Sequence, residues 1–504
     1  MLENVWKRLK SGTDVRGVAT EGVPGEPVTL TNDAVARIAY GFARWMGEKY
    51  GRRPVRVAVG HDSRLSGPRI RDVVVQTLSE AGIEVVCCGL SSTPAMFMAT
   101  VDIDCDGAVQ ITASHHPFHR NGLKFFCRDG GLDGGDITRI LEYAQEGIPV
   151  RRQDAGKIFY VDFMRRYAAG LRQMICSGVD AGEKPLAGYR IVVDAGNGAG
   201  GFYATQVLEP LGADITGSQF LDPDGRFPNH IPNPENGQAM ESACAATVAH
   251  QADLGIIFDT DVDRAGCVDR AGREINRNRL VALASAIALR DNAGGTIVTD
   301  SITSSGLKAF IEGTLGGVHR RFKRGYRNVI NECVRLNQEG VNSPLAIETS
   351  GHAALRENYY LDDGAYLVTR IIIEMARLGK EGKQLDDLIA ALQEPAEAAE
   401  LRFPILEADF ASYGQMVIDR LASYAASQGW AVAPDNCEGI RVSFAPGEGD
   451  GWFLLRLSVH DPIMPLNMES DVPGGVRIIA QKLNGFLQGM DCLDLQSMRD
   501  FLAG

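Results

Sequence analysis

The sequence predicts an α/β protein built from repeated domains, followed by one smaller α+β domain. Three observations carry that expectation. At 504 residues, and roughly 150 residues per domain, the chain has room for three to four domains. A β-rich run, a small polar loop and a helix-like stretch recur three times, each well separated from the next. Beyond about residue 395 that pattern gives way to strand-like runs around a single helix-like stretch.

The first recurrence is "VRVAVGHDSRLSG" (55–67), which leads into the amphipathic "PRIRDVVVQTLSEAG". "YRIVVDAGNGAGG" (189–201) leads into "FYATQVLEPLG", and "GTIVTDSITSSG" (295–306) into "LKAFIEGTLG". The last segment opens with "EPAEAAE" (394–400), which reads as a charged, alanine-rich helix end or linker. "ASYGQMVIDRLASYAAS" reads as a helix, and "GIRVSF" and "WFLLRLSV" as strands, of a domain that closes over the others. Boundaries near 155, 275 and 395 divide the chain into domains 1–155, 156–275, 276–395 and 396–504.

With 45% hydrophobic and 23% charged residues, the composition is that of a soluble globular protein. A net charge of −13 argues against a general nucleic-acid binder, which needs a positive face to displace counterions. "HRRFKRGYR" (319–327) is either a local basic pocket for a phosphorylated metabolite or a solvated charged face. The ten cysteines are scattered, with no C-x-x-C, which fits a reduced cytosolic protein better than a disulfide framework or zinc site. "MLENVWKRLK" lacks the apolar core of a signal peptide, and no run approaches the roughly 20 apolar residues of a membrane span. The expectation is a cytoplasmic protein with neither nucleic acid nor membrane as partner.

The strongest chemical motif is "LGIIFDTDVDR" (254–264), where an apolar strand ends in Asp259, Asp261 and Asp263, capped by Arg264. On an extended strand the three carboxylates would share one face and repel. A curled loop lets them converge on a hard divalent cation such as Mg²⁺, whose preferred ligands are oxygens. The plain alternative is an acidic surface turn. A calcium EF-hand is disfavoured, because its twelfth position is Arg270 rather than Glu.

In "AIETSGHAAL" (346–355), Glu348, Ser350 and His352 alternate around a glycine, a pattern suited to a polyhydroxylated ligand or to an ordinary polar strand end. "GWFLLRLSVHDPIMP" (451–465) sets Arg456 and Ser458 two apart with His460 following, either a phosphate cradle or an amphipathic strand. "ITASHHPFHRNGLKFF" (111–126) offers Ser114 flanked by His115 and, ten residues on, Lys124. A serine hydroxyl is a poor nucleophile unless a base or cation activates it. A phosphoserine at 114, with close to two negative charges, would complete the coordination of a cation held by the three aspartates.

Taken together these motifs resemble the α-D-phosphohexomutase superfamily nearly end to end. "SGTDVRG", "GHDSRLSG" and "LSSTPAM" resemble its first-domain signatures, and "TASHHP" with "NGLK" its phosphoserine loop. "PDGRFPNHIPNPEN" (223–236), "DTDVDR", "FKRGY", "ETSGH" and "RLSVHDP" resemble, in order, further signatures including its metal, sugar and phosphate loops. The resemblance implies four domains around a central cleft, three similar α/β domains with mixed sheets and a smaller α+β one. It implies Ser114 as the phosphorylated residue and a metal ligand, with Asp259, Asp261 and Asp263 holding Mg²⁺. Arg16, His115 and Lys124 would lie near the reacting phosphoryl group, with Lys124 a candidate general acid/base. Arg264 and Lys323 would help position substrate, Glu348, Ser350 and His352 would hold the sugar, and Arg456 and Ser458 the phosphate not transferred.

The implied activity is interconversion of hexose 1-phosphate and hexose 6-phosphate of glucose or mannose, through a phosphoserine and a reorienting hexose 1,6-bisphosphate. The implied partner is the phosphosugar, and the implied assembly a monomer or homodimer. Several residues depart from the family pattern. His116 stands for Asn, Thr260 and Ile347 for Gly, and Val459, His460 and Asp461 for G-T-E, with Pro465 where Arg is frequent. Loss of a small residue and a hydroxyl there weakens or re-aims phosphate docking, with only partial compensation from a protonated His460, so substrate preference or efficiency is expected to differ from typical members. The other readings are a phosphoglucosamine mutase, whose loop usually has Gln in place of Thr349, a hexose-1,6-bisphosphate synthase, and a non-catalytic sugar-phosphate-binding relative.

Overall fold

The computed structural model describes residues 2–51, 55–148, 155–458 and 461–504. The chain forms two compact units, Met1–Leu280 with Ser350–Asp387, and Val281–Thr349 with Leu388–Gly504.

The first unit starts with a mixed sheet of β1 (Lys10–Ser11), β2 (Asp14–Val18), β3 (Arg56–His61), β4 (Glu84–Leu90), β5 (Gly107–Ile111), β6 (Arg120–Cys127) and β7 (Ile158–Tyr160). Their order is β1-β2-β6-β5-β3-β4-β7, with the short strand Gly130–Gly131 beside β6. The centre, β5-β3-β4, is parallel and almost wholly buried. That explains why "VRVAVG" reads as a nearly continuous apolar run rather than an alternating one. Helices cover the sheet and show the caps expected of them: Thr31 accepts from the Ala34 amide ahead of Asn32–Tyr50, and Asp133 and Asp136 form a capping box at Gly134–Glu146. His61 pairs with Ile111 at the carboxyl ends of β3 and β5. The two following loops therefore leave the sheet side by side, where parallel sheets hold their ligands.

The next sheet contains β8 (Ile191–Asp194), β9 (Leu254–Phe258), β10 (Ala265–Asp269) and β11 (Glu274–Ile275), in the order β11-β10-β9-β8. β8 and β9 are parallel, while β9 and β10 form an antiparallel hairpin whose turn is "DTDVDR". The expected helix in "FYATQVLEPLG" is instead a π-helix, Tyr203–Leu208, followed by a 3-10 turn, Glu209–Leu211. Pro210 has no N–H to give the Gln206 carbonyl, and Arg172 donates to that carbonyl instead. "LKAFIEGTLG" is likewise split, into α-helix Ser305–Ala309 and π-helix Phe310–Thr314.

In the second unit β12 (Thr296–Thr299), β13 (Val318–Arg321) and β14 (Leu345–Ile347) run parallel in the order β13-β12-β14. Its C-terminal sheet is wholly antiparallel: β15 (Glu397–Pro404), β16 (Ala431–Val432), β17 (Ile440–Phe444), β18 (Gly451–Leu455) and β19 (Ile463–Ser470), ordered β15-β19-β18-β17-β16. Helices Phe410–Ser427 and Gly475–Leu487 bury Leu421, Ile479 and Leu483 in one core with Val442, Phe453 and Leu466. The expected helix end at "EPAEAAE" is wrong beyond residue 396. Glu397 to Pro404 pair residue by residue with Ser470 to Ile463, so alternation in a sheet overrides the helix propensity of Ala and Glu.

All ten cysteines are free. Among the described residues no helix is long and apolar enough to cross a membrane.

Candidate active site

In the first unit, the loops after β5 and β9 meet. Ser114 is buried, and its hydroxyl donates to Asp259 Oδ2 at 3.2 Å while accepting from Arg264 Nη2 at 3.2 Å. Arg264 is buried too. Its Nε donates to Asp259 at 3.1 Å, Nη1 to Asn233 Oδ1 at 3.1 Å, and Nη2 also reaches His115 Nδ1 at 2.8 Å. Because the guanidinium can only donate, His115 Nδ1 accepts, which places its ring proton on Nε2. Part of the His115 surface is exposed, yet the surrounding protein removes enough water, with the Arg264 and Arg16 guanidiniums adding positive charge, to hold this imidazole well below its usual range.

The hairpin turn curls as the sequence requires. Val262, a buried β-branched residue, has φ +67°, a conformation that costs roughly 1–2 kcal/mol and reverses the chain within a few residues. Asp259, Asp261 and Asp263 each present an oxygen within 4.8 Å of the others. Burial, then the charges of Asp263 and Asp261, push the Asp259 carboxyl well up. Burial also pushes Asp263 up, but Lys124, His352 and Arg264 outweigh it and hold that carboxyl low. Lys124, from β6, donates to Asp261 at 3.2 Å and to Asp263. Asp261 Oδ1 and Asp263 Oδ1 are buried and accept no hydrogen bond. Two orphaned carboxylate oxygens beside a third, mutually repelling carboxylate fit a divalent oxygen-seeking cation. Thr260 is not among the positive-φ residues, so a side chain fits where the family pattern has Gly.

Ser350 and His352 join this set. Gly351 (φ +94°) lies so close to Ala265 that a Cβ would sit 2.6 Å from its carbonyl oxygen, and Arg264 bridges His352 through the backbone. Burial alone would lower His352, but the charge and hydrogen bond of Asp362, with Asp263 behind, hold it up at about 9. Arg16, on β2, pairs with Asp14 at 2.9 Å and adds positive charge around His115 and His116.

The remaining expected residues fall in the second unit. Glu348 follows β14 and accepts from the Gly325 amide at 2.6 Å, and Lys323 is exposed on the same 322–325 loop. Glu438 accepts from the Arg324 amide at 2.9 Å. Arg456 and Ser458 begin the loop between β18 and β19, where the Asp461 amide donates to Ser458 Oγ at 3.3 Å. Burial, then the charge of Arg324, push Arg456 down, against Glu438, Glu400 and Asp300. His460 and Val459 lie outside the described residues. Within the basic run, Arg320 is taken up by Glu332 at 3.0 Å and Arg321 by Asp435 at 2.7 Å, so neither belongs to an open phosphate pocket.

Sequence reasoning assigned no role to Arg64, Thr93, Asn233, Asp362 or Glu438. Thr93 anchors Asp261 through its amide, at 2.8 Å to the carbonyl, and through its hydroxyl to the carboxylate. Thr93 and Asn233 lie within the quoted motifs "LSSTPAM" and "PNHIPNPEN", so the signal was present without a role attached.

A serine hydroxyl held between a carboxylate and a guanidinium, beside a buried triad of aspartates on an α/β scaffold, defines a phosphoryl-transfer enzyme. Comparison with known proteins agrees. The Phosphoglucomutase/phosphomannomutase family matches in three consecutive alpha/beta/alpha domains, domain I over residues 8–148, domain II over 165–272 and domain III over 276–395. A phosphomannomutase/phosphoglucomutase of Pseudomonas putida is 30% identical over 436 residues, covering 85% of this chain and 88% of the relative. A phosphoglucomutase of Neisseria gonorrhoeae is 29% identical over 490 residues, 97% of this chain and 98% of the relative. The crystal structure of a phosphoglucomutase/phosphomannomutase family protein from Burkholderia thailandensis superposes with a TM-score of 0.79 at 26% identity, covering 97% of this chain and 98% of that one. The chain belongs to the phosphoglucomutase/phosphomannomutase family of the α-D-phosphohexomutases and is a phosphohexomutase, an intramolecular phosphotransferase.

Proposed function

We propose that the chain interconverts hexose 1-phosphate and hexose 6-phosphate of glucose, mannose or both, through phospho-Ser114 and a hexose 1,6-bisphosphate. The observation that carries this reading is the placement of Ser114 Oγ between Asp259 and Arg264, at 3.2 Å from each. The phosphoglucomutase and phosphomannomutase/phosphoglucomutase names of the relatives support glucose and mannose as the sugars.

Asp259, Asp261 and Asp263 would hold Mg²⁺, which supplies charge neutralisation for a transferring phosphoryl group. Arg264 steadies the bridging oxygen at Ser114 and, with Lys124, offsets charge developing on the phosphoryl oxygens. In the forward direction the phosphoryl group passes from Ser114 Oγ to O6 of a hexose 1-phosphate. After reorientation of the bisphosphate, the phosphoryl group on O1 passes back to Ser114 Oγ and leaves hexose 6-phosphate. In the first transfer the O6 hydroxyl loses a proton and Ser114 Oγ gains one. In the second, Ser114 Oγ loses its proton and O1 gains one. Lys124, held against Asp261 and Asp263, is the candidate to carry the proton each time. In the second unit, Glu348 is assigned to sugar hydroxyls, and Arg456 with Ser458 to the phosphate that is not transferred.

The test is intact-mass measurement before and after incubation with glucose 1,6-bisphosphate and Mg²⁺. It is paired with turnover of the 1-phosphates of glucose, mannose, glucosamine and N-acetylglucosamine. One phosphoryl group is expected on the wild type and none on Ser114→Ala, with glucose or mannose preferred. Full activity in Ser114→Ala would overturn the reading.

A further inference from the structure

Ser114 is not only buried but strained. Its φ is +50°, in the left-handed region that L residues other than Asn, Asp and Gly seldom occupy. Surrounding structure must impose that conformation, and the groups that do so come from the turn after β3.

Arg64 is only 1% exposed. Its Nη2 donates to the carbonyls of Ser114 and His116, each at 2.5 Å, and its Nη1 to those of Pro117 at 2.8 Å and Arg120 at 2.9 Å. Four carbonyls of one loop thus converge on one guanidinium. Arg64 is itself fixed: its amide donates to Asp62 Oδ1 at 2.9 Å, its Nε pairs with Asp62 at 3.3 Å, and the Phe227 ring lies 5.3 Å from the guanidinium carbon. Gly225 packs so tightly here that a Cβ would fall 2.5 Å from the Leu65 amide nitrogen. The other peptide group of Ser114 is held from the same side. Its N–H donates to Thr112 Oγ1 at 2.9 Å, and the Thr112 hydroxyl is hydrogen-bonded to Asp62.

We propose that Arg64 is a positioning residue for phosphoryl transfer. By chelating the carbonyls of the 114–120 loop it imposes the left-handed backbone at Ser114 and so aims Oγ at Asp259 and Arg264. The inference rests on Ser114 being the residue that carries the phosphoryl group. Arg64 hydrogen-bonds neither Oγ nor the aspartates of the triad; only the longer-range charge of Asp261 reaches it, so its direct hold is on the backbone of the loop. In-line transfer is sensitive to displacements of about 1 Å, which can cost about 100-fold in rate. A lysine at 64 supplies one tetrahedral donor group where the loop needs a planar fork.

The test compares wild type, Arg64→Lys and Arg64→Ala in three measurements. These are kcat and KM for glucose 1-phosphate, the rate of Ser114 phosphorylation by glucose 1,6-bisphosphate followed by intact mass, and Tm. For Arg64→Lys the expected result is a fall in kcat and phosphorylation rate of about 100-fold, with KM within about threefold of wild type. Millimolar guanidinium chloride should restore part of the rate of Arg64→Ala without changing its Tm. Wild-type phosphorylation rates in both variants would overturn the inference, as would failure of both to fold, since Arg64 would then be a stability element only. If wild type itself takes up no phosphoryl group at Ser114, the reading of the site fails instead, and the two failures are distinguishable.

Discussion

The Ser114 hydroxyl donates to the Asp259 carboxylate across 3.2 Å, joining loops that lie 145 residues apart in the chain. Asp259 and Arg264 are thus the residues through which the aspartate turn meets the Ser114 loop. Burial and its two acidic neighbours push its carboxyl up, so the apo protein holds it against repulsion. Asp259→Asn relieves one of three crowded carboxylates but takes the 3.1 Å partner from the buried Arg264 guanidinium, so the Tm of the metal-free protein should fall. The same substitution should lower kcat by about 100-fold or more. It should also shrink the rise in Tm that Mg²⁺ produces in wild type. A Mg²⁺-induced shift as large as in wild type would remove Asp259 from the ligand set.

Gly364 tests the shape of the turn rather than its charge. Its amide donates to the Val262 carbonyl at 3.1 Å, and a Cβ on it would lie 2.7 Å from the Arg264 carbonyl carbon and 3.0 Å from the Val262 carbonyl oxygen. Both neighbours are backbone of the aspartate loop, which cannot swing aside as a side chain would. Gly364→Ala should therefore weaken Mg²⁺ binding at least about tenfold and destabilise the fold by about 1–3 kcal/mol. Metal titration followed by Tm measures both.

The meeting of the Ser114 loop with the aspartate turn is legible in the sequence because those residues sit in short motifs whose spacing is itself chemical. Asp259, Asp261 and Asp263 converge because a turn with a left-handed Val262 is the way three carboxylates at spacing two avoid one flat face. Other features depend on distant backbone that no local pattern reveals. Arg64 lies inside the quoted motif "GHDSRLSG", yet its role shows only when four carbonyls from residues 114–120 are seen around it. Arg320 and Arg321 look like a phosphate pocket until Glu332 and Asp435 are placed beside them. "EPAEAAE" fails for the same reason: half of it is a strand because Glu397 to Glu400 pair with Ser470 to Asn467 of β19, some seventy residues on in the chain.

Arg456 separates binding from chemistry. It lies in the second unit on the loop after β18, where burial and Arg324 push it down more than Glu438, Glu400 and Asp300 hold it up. If it holds the phosphate that is not transferred, Arg456→Ala loses charge-assisted hydrogen bonds worth about 1.5–3 kcal/mol. KM for glucose 1-phosphate should then rise roughly 10- to 100-fold. The Mg²⁺ dependence of Tm should stay as in wild type, because no aspartate of the triad is touched. An unchanged KM would assign Arg456 to structure rather than substrate.

The last prediction concerns stability against pH and rests on Glu469 in β19. Its carboxylate accepts from Trp452 Nε1 at 2.9 Å, and Arg441 stacks on the same indole with its guanidinium carbon 3.5 Å from the ring centroid. Burial pushes Glu469 up to about 7, against the opposing pull of Arg441 and Trp452. An acid with a raised folded-state value binds its proton more tightly folded than unfolded. Its contribution to stability is therefore full below the unfolded value, near 4.5, and is lost as pH rises through about 7. The amount at stake is of order 3 kcal/mol, at about 1.4 kcal/mol per unit. Glu469→Gln keeps the hydrogen bond to Trp452 and cannot ionise, so between pH 5 and 8 its stability should fall less than that of wild type. Denaturant titrations at the two pH values, followed by indole fluorescence, measure the difference. Parallel pH profiles for the two proteins would mean that Glu469 ionises at an ordinary carboxylate value and that Arg441 compensates fully for its burial.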